Sequence, residues 1–459
     1  MTRILYILHS AGLTGGPPLS LGPIVERLDR SRYESILATT HPAPDVLSLF
    51  HSYGAKAFYW PGIRRFEHTT GGWYSLFTPQ GWFSLIRAML RFASSVRATE
   101  RLVRKVRPDL VHLNSLTLAA AALGVKRTGT RLIWHVRESV HPGHLGIRRR
   151  LLRWLVRCCA DEAVFICEDD RQRLTAGRFG VTVPNAVDLT RFRGGMDGVL
   201  VRGELGLAEQ VRVVLFFGGM GQIKGAQVLL SALPEIKSRI PDLHVVVCAG
   251  VAPKSHNVVA RLARVILPLV GGGTQRQRFE RLMVRSSLGD YVRLLPFRPD
   301  PERLLAAADL VVVPSTQPHF ARPVIEAGAM AKPVVASRIG GVTELVVEEE
   351  TALLVPPGDS TRLAQACIRV LADPALATSL GNAAYRRVVE NYGIDLSVRR
   401  FIEVYSRVLD KHGTGRGGRL TGAQTRAVRS RSCPPDASCE APSGKAGDRF
   451  HRRSRSSET

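Results

Sequence analysis

The sequence predicts a two-domain α/β protein in which each domain is built on a parallel sheet. Short apolar runs rich in Val and Ile, such as residues 4–8, 211–217 and 333–337, alternate with segments of helical spacing. Such runs are typical of strands buried on both faces, and their alternation with helices is typical of parallel sheets. The 459 residues exceed the roughly 250–300 at which single hydrophobic cores stop growing. Two Rossmann-like domains are therefore expected.

The charge of the chain narrows the classes of partner. The formal net charge is +25, and nucleic acid, an anionic membrane surface and a charged substrate would all balance it. The sequence contains no helix-turn-helix, aromatic RNA-binding or zinc-finger signature, so no specific nucleic-acid partner is expected.

Cysteine spacing and hydropathy indicate the compartment. The seven cysteines form no CxxC pair and no metal-ligand spacing, which favours a reducing compartment over disulfides or a zinc site. The apolar run after Arg3 is too short for a signal peptide, and no run reaches the roughly 18 apolar residues of a membrane span. A cytoplasmic protein is expected, peripheral on the inner face of the membrane.

The first domain is expected to cover residues 1–188. It begins with a strand at 4–8, a glycine-bearing loop at 10–16 and a helix near 18–28. Further strands are predicted near 35–39, 56–59, 108–112, 131–136 and 161–167, with an inserted lobe at 61–81.

Two segments of the first domain combine basic and apolar residues at helical spacing. Residues 82–106 form one such helix or two, and residues 147–159 form another, with Leu151 and Trp154 among five arginines. This pattern is typical of interfacial helices on anionic lipid. A helix packed on the core with a solvated basic side gives the same pattern.

The second domain is expected at residues 200–380, after a linker at 193–206. Its first strand, 211–217, leads into a glycine-rich loop that ends in Lys224 and Gly225. The loop is neither a P-loop nor a dinucleotide fingerprint, because both need a different glycine spacing.

The stretch 314–359 predicts a nucleotide-binding site. A strand ends at Pro314, and a helix over 322–330 has Pro323 in its first turn, where we also expect Glu326. A carboxylate suits the vicinal diol of a ribose, and a helix N-terminus suits a diphosphate. A buried helix with one solvated Glu is the alternative.

The order of motifs in this stretch resembles the GT-B glycosyltransferases, specifically the large retaining family 4. The family pattern E-x7-E-A, G-K-P-V, G-G-x-x-E and L-V-P-P-G-D is matched at Glu326-Ala327, 331–334, Gly340-Gly341 with Glu344, and 354–359. The resemblance implies a GT-B fold, in which two domains face each other across a cleft and C-terminal helices cross back to the first domain. Residues 381–410 match those helices.

The resemblance also implies which residues bind the donor. Glu326 would hold the ribose, Lys224 the diphosphate, and His135 would lie beside the sugar, although a lone His at a strand end is often structural. Gly15 and Gly16 would face the cleft, or form an ordinary tight turn. The remaining expected contacts are Gly219, Gly221, His319, Phe320, Ala321, Val324 and Gly341.

The chain departs from the family pattern at two positions. Gly219 stands where a diphosphate-binding Arg is usual, and Pro318 stands where the first Glu of E-x7-E would be. Arg322 could replace the missing cation, or be a solvated loop residue, and His319 could replace the missing polar contact. No DxD motif is present, so no metal and no permanently bound cofactor are expected.

The sequence thus predicts an enzyme that moves a sugar from a nucleotide-diphosphate sugar to a glycan or glycolipid acceptor, with retention, in polysaccharide or glycolipid assembly. A nucleotide-sugar epimerase of related fold and a catalytically weak binding protein are the alternatives. Residues 411–459 contain almost no large apolar side chains and many basic ones, which predicts a disordered basic tail.

Overall fold

A computed structural model describes residues 1–13, 16–66, 68–69, 72–73, 79–140, 144–218, 222–248 and 288–410. The predicted tail at 411–459, Gly15, Gly219 and Gly221 lie outside these residues.

The first domain contains a seven-stranded parallel sheet with the strand order β3-β2-β1-β6-β7-β8-β9 and a separate antiparallel hairpin of β4 and β5. The strands are β1 (Thr2–Leu8), β2 (Tyr33–Thr39), β3 (Lys56–Tyr59), β4 (His68–Thr69), β5 (Gly72–Trp73), β6 (Leu110–Leu113), β7 (Arg131–Val136), β8 (Glu162–Phe165) and β9 (Val181–Thr182).

Helices cover both faces of this sheet. They are α1 (Gly16–Arg27), α2 (Pro44–Ser52), α3 (Pro79–Leu90), α4 (Phe92–Val106), α5 (Ala119–Thr128), α6 (Ile147–Cys159) and α7 (Glu168–Thr175), with a short 3-10 helix at His144–Gly146. Leu5 and Ile7 pack with α4, α5 and α6, whereas Ile4, Tyr6 and Leu8 pack with α1 and α2 on the other face. The period-2 alternation of a strand explains this division.

The second domain contains a six-stranded parallel sheet with the order β12-β11-β10-β13-β14-β15. The strands are β10 (Arg212–Phe217), β11 (Leu243–Cys248), β12 (Val292–Leu295), β13 (Leu310–Val313), β14 (Val334–Ser337) and β15 (Leu353–Val355). The described helices are α8 (Gly198–Glu204), a 3-10 turn at Gln222–Lys224, α9 (Ala226–Arg239), α10 (Pro301–Ala307), α11 (Arg322–Ala329), α12 (Ser360–Ala372), α13 (Pro374–Asn391) and α14 (Ile394–Asp410).

Helix α14 returns the chain to the first domain, as the fold class predicts. The crossing begins where Val187 and Gly393 form an isolated β-bridge. Phe401 and Tyr405 of α14 are buried in the cluster that contains Tyr6 and Leu8. The apolar face of α14 is therefore part of the first-domain core.

The predicted linker at 193–206 was wrong in part, because helix α8 forms there and packs against α10. The side chain of Asp197 caps this helix by accepting a hydrogen bond from the Val199 N–H at 2.8 Å. An Asp before an apolar run is an N-terminal helix signal that the glycines nearby obscured.

The basic stretch at 82–106 forms two helices that meet at Arg91. Ser94 Oγ donates to the Arg91 carbonyl at 2.8 Å, a local bond that competes with helix continuation. Within the described ranges, no helix combines the length and apolar character that crossing a membrane requires.

Candidate donor and cleft site

The carboxyl ends of strands from both sheets meet at one cleft. Arg322 Nη1, at the start of α11 in the second domain, donates to the carbonyl of Gly16, the first residue of α1, at 3.5 Å. Ligands of open α/β sheets bind at this edge. Gly16 thus lies where the two domains meet, beside Arg322 of the second domain.

The loop that carries Lys224 is held against the loop after β13. Gly225 has φ +72°, and a Cβ there would lie 1.7 Å from the Pro314 carbonyl oxygen, so only glycine fits. The Thr316 N–H donates to the Ile223 carbonyl at 2.9 Å. Lys224 and the residues after Pro314 are therefore neighbours.

Lys224 and His319 are two buried titratable side chains of these loops, and both have lowered pKa values. Burial lowers the pKa of Lys224 to about 8. Burial, together with the nearby charge of Lys224, lowers the pKa of His319 to about 4. At neutral pH, Lys224 is therefore charged and His319 is neutral.

The hydrogen bonds of His319 define its tautomer. His319 Nδ1 lies 3.0 Å from the Gln317 carbonyl, so this nitrogen carries the proton. Nε2 then has a lone pair, and it lies 3.5 Å from Ser315 Oγ. This lone pair accepts the Ser315 hydroxyl, so a sugar hydroxyl that binds here would take the place of Ser315 as the donor.

Gly341 packs closely against the backbone of this loop. It has φ +84°, and a Cβ there would lie 2.7 Å from the His319 carbonyl oxygen. The missing side chain therefore allows the His319–Phe320 backbone to approach closely. Phe320, Ala321 and Val324 are buried in the second-domain core, so their backbone groups are what they can present to a ligand.

Glu326 is the fifth residue of α11, and its predicted place in the first turn was wrong because the helix begins at Arg322 with Ala321 as N-cap. Its buried carboxylate forms an ion pair with Arg322 one turn earlier. Arg322 is therefore oriented by Glu326.

The N-terminus of α11 offers fewer N–H donors than an ordinary helix. Pro323 has no N–H, and the Val324 N–H donates to the Ala321 carbonyl at 3.0 Å. The predicted diphosphate contacts therefore depend more on side-chain cations than on this helix end.

His135 lies within a buried polar chain of the first domain. His135 Nδ1 is 3.1 Å from His112 Nε2, His112 Nδ1 is 2.9 Å from Tyr405 Oη, and Tyr405 Oη is 3.3 Å from Tyr6 Oη. Burial lowers the pKa of His112 to about 3 and holds that of His135 well below its ordinary value. Both rings are neutral at physiological pH.

Buried polar atoms without partners lie at the ends of β6 and β7. Among the described residues, His135 Nε2 and both amide atoms of Asn114 have no hydrogen-bond partner. Buried polar groups are nearly always paired, to protein, water or ligand. Asn114 directly follows β6 and His135 lies in the neighbouring strand β7, where Leu113 is in register with Trp134.

Arg137 and Glu138 follow β7 directly, and neither was assigned a role from the sequence. The Glu138 carboxylate accepts from Ser115 Oγ at 2.5 Å and from the Leu116 N–H at 2.8 Å, which holds the loop after β6. Arg137 Nη2 donates to Asn185 Oδ1 at 2.7 Å. Their position after a buried strand, two residues from His135, was the available signal.

Glu344 joins the two domains. Its carboxylate accepts from the N–H groups of Glu168 and Asp169, both at 2.7 Å, and so caps α7 of the first domain. Gly340 permits this approach, because a Cβ there would lie 2.2 Å from Asp169 Oδ2. The G-G-x-x-E motif therefore has an interdomain structural role.

In the part of the chain that the structure describes, no group of three or more His, Cys, Asp and Glu side chains could hold a metal ion.

Comparison with known proteins agrees with this architecture. The family described as "Glycosyl transferases group 1" matches residues 200–387 of the chain. The family described as "Glycosyl transferase 4-like domain" matches residues 15–187. Two Rossmann-like domains with a back-crossing helix around one cleft define the GT-B class. The chain belongs to the GT4-type GT-B glycosyltransferases.

Curated relatives are named D-inositol 3-phosphate glycosyltransferase. The protein from Corynebacterium jeikeium is 32% identical over 248 residues, 51% of this chain and 55% of that protein. The protein from Streptomyces avermitilis is 26% identical over 416 residues, 88% of this chain and 78% of that protein. The first of these matches therefore spans about half of the relative.

Solved structures share the fold. HepE of Anabaena in complex with UDP and glucose has a TM-score of 0.68 at 20% identity, and covers 88% of this chain and 100% of its own. Sucrose-phosphate synthase from Thermosynechococcus elongatus has a TM-score of 0.69 at 21% identity, with 90% and 100% covered.

Proposed function

We propose that this protein transfers a sugar, with retention of anomeric configuration, from a nucleotide-diphosphate sugar to a glycan or lipid-linked acceptor. The observation that carries the proposal is the cleft itself, where Arg322 of the second domain, paired with Glu326, reaches Gly16 of the first domain. Lys224 and His319 lie close to each other in the loops of the second domain. Family membership supports the same reaction class.

The donor is held by three kinds of group. Glu326 accepts the ribose hydroxyls, since a carboxylate has two oxygens for a vicinal diol. Lys224 and Arg322 neutralise the diphosphate. Nε2 of His319 accepts a sugar hydroxyl instead of the Ser315 hydroxyl, and so takes the role of the glutamate that Pro318 replaces. The UDP complexes of HepE make UDP-sugars the first donors to test.

Departure of the nucleoside diphosphate is the step these cations assist. As the bond from the anomeric carbon to the phosphate oxygen breaks, negative charge grows on that oxygen, and preorganised cations stabilise it. The acceptor hydroxyl forms the new bond and passes its proton to the leaving phosphate on the same face of the sugar. No protein nucleophile is needed for this course.

The surface of the first domain supports a lipid-linked acceptor. On α3, Phe83 is 68% exposed and Ile86 is 52% exposed, and on α6, Leu151 and Trp154 are 51% and 59% exposed. The other face of α6 packs Leu152, Val156 and Cys159 into the core. Helix α6 therefore has one apolar face packed on the core and a second face that exposes apolar side chains, so it has features of both interpretations given in the sequence analysis.

The apolar surface carries basic residues as well. Arg87 and Arg91 beside α3, and Arg150 and Arg157 on α6, are exposed. Basic and apolar side chains together favour anionic lipid surfaces. A glycolipid acceptor would meet the cleft from such a surface.

Turnover of a panel of nucleotide sugars, with and without lipid-extract acceptors, tests the proposal. We expect nucleoside diphosphate release that requires acceptor, and a product whose anomeric coupling constant by NMR matches that of the donor. Isomerised donor without acceptor would identify an epimerase instead. Donor binding without any turnover would identify a binding protein, and an inverted product would exclude retention.

A further inference from the structure

Arg137 presents a cation that the protein itself leaves incompletely paired. It lies at the carboxyl end of β7, on the first-domain side of the cleft. Nη2 is bonded to Asn185, but Nη1 is enclosed and has no hydrogen-bond partner among the described residues. An enclosed guanidinium N–H without an acceptor is costly, unless a ligand supplies one.

The charge of Arg322, in the other domain, acts on Arg137. Burial lowers the pKa of Arg137 to about 10, and although Glu138 acts against this, the charge of Arg322 lowers it further. Two guanidinium groups thus repel each other across the cleft. An anion between them would remove this repulsion and give the enclosed Nη1 an acceptor.

The rest of the site indicates which anion this is. Gly219 lacks the side chain of the usual Arg, the start of α11 is short of N–H donors, and Lys224 alone is a single point charge. Arg322 is held by Glu326, the proposed ribose ligand. A diphosphate attached to that ribose would therefore lie beside Arg322.

We infer that Arg137 binds the diphosphate of the nucleotide-sugar donor together with Arg322, so that the first domain supplies a cation that the glycine loop lacks. This inference rests on the proposed function. The guanidinium fork matches phosphate oxygens in a bidentate way. Domain closure would then be coupled to donor binding, because each domain contributes one arginine.

Calorimetric titration with UDP, and with GDP, ADP and dTDP in parallel, tests the assignment. We expect Arg137→Met to raise the UDP dissociation constant about 10- to 100-fold, the scale of a lost charge-assisted hydrogen bond. Uridine affinity should stay unchanged. Arg137→Lys should recover part of the loss, because it restores charge without the fork.

Asn185→Ala is the matched control. It removes the same Arg137–Asn185 hydrogen bond and keeps the cation, so a purely structural role of Arg137 predicts equal losses in both variants. We expect a smaller loss in Asn185→Ala. Combining Arg137→Met with Arg322→Ala should give less than the product of the two single effects, since both arginines hold one ligand.

The outcomes separate this inference from the proposed function. Wild-type protein that binds none of UDP, GDP, ADP and dTDP removes the proposed function. Wild-type binding with full UDP affinity in a folded Arg137→Met variant overturns only the role of Arg137. A loss confined to inositol 3-phosphate, titrated as a second probe, would assign Arg137 to an acceptor phosphate and also overturn the inference.

Discussion

At the scale of single residues, the Glu326 carboxylate is shared between a cation and the proposed donor ribose. Its pairing with Arg322 places it at the cleft, in the second turn of α11. Replacement by Ala should weaken UDP binding by about 1.5–3 kcal/mol, because a charge-assisted hydrogen bond to the ribose is lost. Calorimetry checks this prediction.

Titration with uridine, which has the ribose but no phosphate, distinguishes ribose binding by Glu326 from its orientation of Arg322. If the carboxylate binds ribose, Glu326→Ala should weaken uridine and UDP alike. A loss seen with UDP but not with uridine would mean that Glu326 acts only by orienting Arg322. Unchanged affinity for both ligands would contradict the assignment.

The lowered pKa of Lys224 predicts that activity falls at alkaline pH. Its pKa is lowered to about 8 by burial, so the cation is present below this pH and is lost as pH rises through it. We expect kcat/KM to fall above pH 8, since this ratio reports ionisation of the free enzyme. A bound diphosphate favours the charged amine, so the inflection in kcat should lie at higher pH.

Lys224→Arg provides the control for the pH profile. Arginine keeps its charge throughout this range, so the inflection near pH 8 should disappear even if overall activity is lower. A profile with the same inflection in this variant would show that another group titrates. His319, with its pKa lowered to about 4, should produce no inflection between pH 6 and 7.

At the scale of elements, Glu344 caps α7. We expect that removing its carboxylate lowers the stability of the protein but leaves the contacts with the donor intact. Glu344→Ala leaves the N–H groups of Glu168 and Asp169 without their acceptor. We expect the free energy of unfolding to fall by about 1–2 kcal/mol in urea titration, the scale of a lost helix cap. Glu350→Ala, an exposed carboxylate nearby, should have no measurable effect.

Equal stability of Glu344→Ala and wild type would argue against the interdomain cap. A fall in UDP affinity that exceeds the fall in stability would instead place Glu344 in the donor site. The motif position of Glu344 is compatible with either result, and the two backbone bonds favour the first.

Local sequence signals predicted most elements but not all. Buried Val-rich runs located the strands to within a few residues, because burial on both faces leaves no polar alternation. Helix α8 was missed although Asp197 caps it, since Gly194, Gly195 and Gly198 favoured a linker. Local propensity is a weak guide when packing against another helix, here α10, decides the outcome.

At the scale of the whole molecule, the exposed apolar faces of α3 and α6 predict binding to anionic vesicles. Wild type should co-sediment at low salt and less at high salt, because basic residues each contribute about 1 kcal/mol at such a surface. Phe83→Ser with Ile86→Ser, and Leu151→Ser with Trp154→Ser, should each reduce binding.

The serine variants should keep the fold, because the replaced side chains are exposed. Leu200→Ser is the matched control, since Leu200 of α8 is 65% exposed and lies on neither helix. No sedimentation of wild type at low salt would remove the membrane prediction, and an equal loss in Leu200→Ser would make the effect nonspecific.

The sequence by itself determined the two parallel sheets and the motifs of the second domain, because each depends on patterns within a few residues. The return of the last helix was implied only by the resemblance that those motifs carry. Only the tertiary structure decided that the charge of Arg322 acts on Arg137, that Arg322 reaches Gly16 from 306 positions away, and that Glu344 caps a helix 176 positions earlier. Such contacts depend on how two separately folded domains meet. Side-chain periodicity carries no information about that geometry, since it reports only which face of each element is buried.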